Sequence, residues 1–140
     1  MNGAPYAATL LRVSLGVMYV AHSLILKYFV FTLPGTAQFF ASLGLPAALA
    51  YATFWAELVG GALLIAGIGT RVVSLALVPV LAGALWVHAG NGWVFSAANG
   101  GWEYPLFLIV ASLAAALLGD GKYALANILR ARNVPLGAYA

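Results

Sequence analysis

The sequence predicts an all-α integral membrane protein: a four-helix bundle with a short interfacial helix after its first span and a juxtamembrane helix near its C-terminus. Three observations carry that prediction. Only 6% of the 140 residues are charged and 64% are hydrophobic, whereas a soluble domain needs about 25% charge to cover its surface. The apolar residues fall into four runs close to the ~20 residues that a helix needs to cross a bilayer. Gly and Pro punctuate the chain between those runs. Four spans fill a chain of this length, so residues 1–140 read as a single membrane domain.

The elements follow in order. Span one covers about 6–29. The stretch TLPGTAQFFASLGLP (32–46) is expected to form the interfacial helix, with Thr36 as N-cap and Gly44 as its stop. Span two covers about 46–68, with Pro46 in its first turn, and span three about 71–89. AGNGWVFSAANGGW (89–102) holds too many Gly and Asn to span, and Trp93, Phe95 and Trp102 suit the headgroup level. Span four covers about 104–118, bounded by Pro105 and Gly119, and its shortness leaves little room for tilt. KYALANILRAR (122–132) reads as the juxtamembrane amphipathic helix. The N-terminus lacks an apolar core followed by a small-residue cleavage site, so the first apolar run is expected to stay as a span.

Charge sets the orientation. An even number of spans puts both termini and the turn at 69–71 on one side, with Arg12, Arg71, Lys122, Arg130 and Arg132, and leaves Lys27 on the other. The positive-inside rule then puts both termini in the cytoplasm of a bacterial-type inner (plasma) membrane, with the aromatic loop facing outward. The net charge of +3 forms no basic stripe, which excludes nucleic acid as a partner. The absence of cysteine excludes thiol relays, disulfides and cysteine-ligated metal. Redox chemistry would therefore need a bound cofactor or a partner subunit.

Within this apolar chain the few polar groups define the candidate sites. Glu57 lies about mid-bilayer in span two, where an unpaired ionised acid costs roughly 2.5–3.5 kcal/mol. It is expected to face the interior beside a small-residue ridge of Ala52, Ala56 and Gly60, with Gly61 one turn on. Arg12, descending from the inner side, is the expected partner. The pair is either a structural staple or a group that handles protons or binds a polar head. His22 and His88 sit near the outer ends of spans one and three; they read either as hydrogen-bonded interfacial histidines or as axial ligands of a haem. Lys27, about 140° around an ideal α-helix from His22, is expected to snorkel to the outer headgroups or to counter an anionic ligand. Glu103 suits the N-terminal end of span four by its charge, or the mouth of a pocket. Tyr19, two turns from Arg12, is a hydrogen-bond donor within the bundle. Polar groups at the mouth of an apolar pocket suit an amphipathic ligand such as a quinone.

Five stretches occur in a telling order: LLRVSLGVMYVAHSLILKY (10–28), FFASLGLP (39–46), the Glu57 helix ending in GIGTR (67–71), GGWEYPL (100–106) and GDGKYAL (119–125). Together they resemble the DoxX family of small four-helix membrane proteins, over about residues 10–125. The family is similar to the membrane subunits of thiosulfate:quinone oxidoreductase, and other members look like accessory subunits of membrane redox assemblies. The resemblance carries over to Arg12, His22, Lys27, Glu57, Arg71, Glu103 and Gly119. The chain departs from the pattern at Ser23, where the family often has Gly. The expectation is a subunit of a quinone-linked redox assembly, with electrons from a partner and Glu57 and His22 as proton-handling catalytic residues. Arg12, Lys27, His88, Glu103 and Tyr19 are its expected ligand-binding residues, and no metal site is expected. The alternatives are a non-enzymatic anchor in a larger membrane complex, a b-type haem protein and, last, a transporter. A homo-oligomer is compatible with each.

Overall fold

A computed structural model describes residues 2–132, so the tail 133–140 of the expected single domain lies outside the described residues. The chain begins with α1 (Ala4–Val20), which has a Pro in its first turn and continues without a break into a π-helical segment, Ala21–Val30. Helix α2 (Leu33–Ser42) is followed by α3 (Ala47–Ala66) and α4 (Thr70–His88), which ends in one 3-10 turn at Ala89–Asn91. Helices α5 (Glu103–Leu118) and α6 (Leu125–Arg132) complete the order. There is no strand among the described residues. Three helices are long and apolar enough to cross a membrane, and α5 is the short apolar fourth.

α1 packs on α3 and α4 on α5, while α2 lies against α3 and the π-helical segment. The start of α1, the α3–α4 turn and the α5–α6 loop share one end of the bundle, here the terminal end; the 89–102 loop lies at the opposite, loop end. At the crossing of α1 and α3 the backbones nearly touch. A Cβ on Gly16 would lie 2.7 Å from the Gly61 carbonyl oxygen, and one on Gly61 would lie 2.8 Å from that of Gly16. Only glycine at both positions permits this approach. The core is built from Leu15, Tyr19, Leu64, Leu77, Leu81 and Leu108, with Ala111 and Ala115 from α5. The outer surface is apolar as well: Val72 and Leu117 are 74% and 79% exposed, the inversion expected where lipid replaces water.

Three expectations need correction. The N-cap of α2 is Thr32, whose hydroxyl accepts from the Gly35 amide at 3.2 Å, because Pro occupies the first turn and starts the helix there. Thr36 instead turns inward, its hydroxyl donating to the Thr32 carbonyl. The small-residue ridge does not run through Ala52, which is exposed; the interior face of α3 is Ala50, Phe54, Glu57, Gly60, Gly61 and Leu64. Finally, span one is not α-helical throughout. In its last ten residues bonds run from i to i+5, as from the Phe31 amide to the Leu26 carbonyl at 2.8 Å. The fully buried Ser23 lies in this segment and donates to the Val20 carbonyl, the kind of backbone competition that distorts helices.

Candidate functional site

The partner of Glu57 is Lys27, not Arg12. The Lys27 Nζ donates to Glu57 Oε2 at 2.6 Å, and both side chains are largely buried, at 16% and 8% exposure. Helix geometry explains the choice. Every Cα–Cβ bond tilts toward its own helix N-terminus. α1 starts at the terminal end and α3 starts at the loop end, so Lys27 leans into the bundle and Glu57 leans up to meet it. Arg12 leans the other way, away from Glu57. Lys27 thus points inward rather than snorkelling out to the headgroups.

The π-helical segment adds His22 to this pair. On an ideal α-helix residues 22 and 27 diverge, but with i to i+5 bonding they stand on successive turns of one face. His22 is itself partly buried. Its Nδ1 donates to the Met18 carbonyl at 3.0 Å; a carbonyl can only accept, so Nδ1 carries a hydrogen and, in the neutral ring, the lone pair is on Nε2. The imidazole stacks on Tyr104 of α5, with ring centroids 6.1 Å apart and planes 28° from parallel.

Tyr104 in turn lines a cavity of about 440 Å³ with Trp93, Phe95, Glu103, Phe107 and Val110. Phe107 and Val110 are 67% and 57% exposed on the flank that faces lipid. The cavity floor is held by loop contacts. Trp93 packs edge-on against Trp102 at 4.5 Å, and Glu103 Oε1 accepts from the Phe95 amide at 3.0 Å. Glu103 is the first residue of α5, where the helix dipole favours an acid, yet it makes no capping hydrogen bond there; its bond goes to the loop. His88 closes the same loop from α4, its Nδ1 donating to the carbonyls of Asn99 at 3.0 Å and Gly100 at 3.2 Å.

The expected outer cluster is therefore split between two neighbourhoods. His22, Lys27 and Glu57 share the α1–α3 seam, Glu103 reaches the cavity, and His88 holds the loop behind it. Tyr104 joins the two, and the sequence reading missed it. Its signal was weak, since a tyrosine at a span's edge reads as an interfacial anchor.

Arg12 and Tyr19 belong to the scaffold. Arg12, fully buried, donates to the backbone carbonyls of Leu64, Ile65, Asp120 and Tyr123. It thereby caps the last turn of α3 and ties the α5–α6 loop to the bundle. Tyr19 and the fully buried Ser112 share a hydrogen bond at 3.2 Å that joins α1 to α5. Asp120, also missed in the sequence reading, accepts from the Thr70 amide at 3.0 Å and pairs with Arg130 at 3.5 Å. Partial burial works against its charge, but the Thr70 contact and the nearby Arg130 and Arg12 outweigh it and hold the carboxyl below its ordinary range. Among the described residues no group of three or more acids and histidines is arranged to hold a metal ion.

Comparison with known proteins identifies the family. Residues 7–90 match the family model described as DoxX. A protein of Bacillus subtilis (strain 168) named "Putative oxidoreductase CatD" is 34% identical over 116 residues, which span 83% of this chain and 81% of that relative. No solved structure matches the chain. With its apolar helical bundle and this match over more than half of its length, the chain is a membrane protein of the DoxX family.

Proposed function

We propose that the chain is the membrane subunit of a quinone-linked redox assembly, binding the ligand's head in the Tyr104 cavity, with electrons supplied by a partner subunit. One observation carries the reading: a half-open apolar cavity, of a size suited to a single-ring head group, is separated by one stacked tyrosine from the partly buried His22 and the Lys27–Glu57 pair behind it. The cavity's lipid-facing lining gives a membrane-dissolved ligand a lateral entrance. A quinone supplies an acceptor that takes two electrons and two protons to become a quinol. In this chain His22 holds and moves a proton at Nε2, the base left free when Nδ1 is tied to Met18. Lys27 and Glu57 form its proton reservoir, and the Met18 carbonyl holds its ring. The oxidoreductase name of the Bacillus relative supports the class of activity. The same reading has the chain in the bacterial plasma membrane with both termini in the cytoplasm, on the positive-inside argument.

The test is quinone content. The chain, purified in mild detergent, is extracted and its quinone per polypeptide is measured by mass spectrometry. Near-stoichiometric quinone is expected, falling at least tenfold (about 1.4 kcal/mol of binding) in Tyr104→Ala and His22→Ala. Glu57→Gln should keep the bound ligand better than these and lose proton-coupled turnover. Quinone no higher than the lipid background would sink the proposal and leave the chain as an anchor subunit.

A further inference from the structure

The terminal end holds a second cavity, of about 370 Å³, between the start of α4 and the α5–α6 loop. Its lining mixes polar and apolar surface, where that of the first is mainly apolar. Arg71, Arg130, Thr70 and Asp120 line it, and Val72 and Leu118 form its rim. It lies at a turn between spans, the depth at which phospholipid headgroups sit.

The charges in this cavity do not balance internally. Asp120 is committed on Oδ1 to the Thr70 amide and on Oδ2 to Arg130. Arg71 has no acid within ion-pairing distance among the described residues; its guanidinium lies over Gly119, where an added Cβ would stand 3.1 Å from Nε. Two arginines thus face one carboxylate. The Thr70 hydroxyl, fully buried in the same wall, has no hydrogen-bond partner among the described residues. The rim points into lipid: Val72 is 74% exposed and Leu118 44%. Two guanidiniums, one of them without an acid partner among the described residues, fit the oxygens of a phosphate, and an apolar rim beside them fits acyl chains.

We infer that this cavity binds the phosphate of an anionic phospholipid headgroup, through Arg71 and Arg130, with the acyl chains lying along Val72 and Leu118. Basic pockets between membrane helices recognise lipid heads in this way. The site is independent of the Tyr104 cavity and does not rest on the quinone reading.

The probe is palmitoyl-oleoyl-phosphatidylglycerol, titrated onto the full chain in nonionic detergent and counted by native mass spectrometry. One tightly held lipid per chain is expected. Arg71→Gln and Arg130→Gln should each weaken it by roughly fivefold, the effect of one arginine near an anionic membrane surface. Both side chains are at the surface, so thermal melts should show the variants folded. Arg132→Gln, whose residue is outside the cavity, should bind as the unsubstituted chain does. Phosphatidylcholine should bind at least fivefold more weakly. The assignment fails if Arg71→Gln retains phosphatidylglycerol fully, or if phosphatidylcholine binds equally. It also fails if excess inorganic phosphate displaces the lipid in an Arg71-dependent way, which would make the cavity a soluble-phosphate site.

Discussion

The bundle buries charge at two places and treats it in two ways. At the terminal end the Arg12 guanidinium is surrounded by backbone: four carbonyls from two segments, with no carboxylate in ion-pairing contact among the described residues. Toward the loop end, Glu57 and Lys27 meet side chain to side chain, beside an imidazole and within one aromatic ring of a cavity. The first arrangement is fixed. A guanidinium does not lose its proton in a protein, and carbonyls at a helix C-terminus gain the donors that they otherwise lack. The second arrangement can change, because a carboxylate, an amine and an imidazole can all exchange protons. One helix carries a fixed guanidinium at one end and a side-chain ion pair at the other.

Substitutions sharpen the contrast, and the largest effect belongs to the staple. Arg12→Met keeps length and apolar stem but leaves four buried or partly buried carbonyls without their charged donor. It should destabilise the chain by about 4 kcal/mol or more, read as loss of folded monomer in detergent, and no substitution at Glu57 should rescue it. Rescue by Glu57→Gln would mean that the two sites are coupled after all.

Lys27→Met comes next. It strands Glu57 at a depth where an unpaired ionised acid costs about 2.5–3.5 kcal/mol. Adding Glu57→Gln to that variant should recover most of the loss in thermal stability, because a pair of neutral groups has no uncompensated charge. A double variant as unstable as Lys27→Met alone would show that packing, not charge, is what Lys27 provides.

The smallest effect lies at Asp120, where the terminal end meets water. A carboxyl held below its ordinary range stabilises the folded state above that range, and the contribution disappears as pH falls through the lowered value. Asp120→Asn should therefore cost roughly 0.5–1 kcal/mol at neutral pH, as expected for an acid at a helix N-terminus. The cost should vanish in melts under acidic conditions. A cost unchanged by pH would assign the effect to geometry.

Much of the molecule was legible from residue order. The interruptions at Gly67–Gly69 and Gly119 place the ends of three helices within about two residues, because glycine is the residue that adopts the left-handed turns found there, with φ of 74° at Gly67 and 63° at Gly69. The partner of Glu57 was legible too, had side-chain tilt been applied to antiparallel helices: it alone favours Lys27 over Arg12. Ala52 misled because small residues mark close helix approach only when they face a neighbour, and the facing pair is Gly16 with Gly61.

Composition by itself determined that this chain resides in a membrane, since 6% charge cannot cover a surface in water. Spacing and punctuation determined how many helices it forms and roughly where each ends. Only the tertiary structure decided the site. Ten residues of π-helix turned His22 and Lys27 onto one face, and the packing of α5 brought Tyr104 against His22. The physical reason is range: hydropathy and turn chemistry act along a few residues of chain, whereas helix register and ring stacking depend on neighbours supplied by helices far away in sequence.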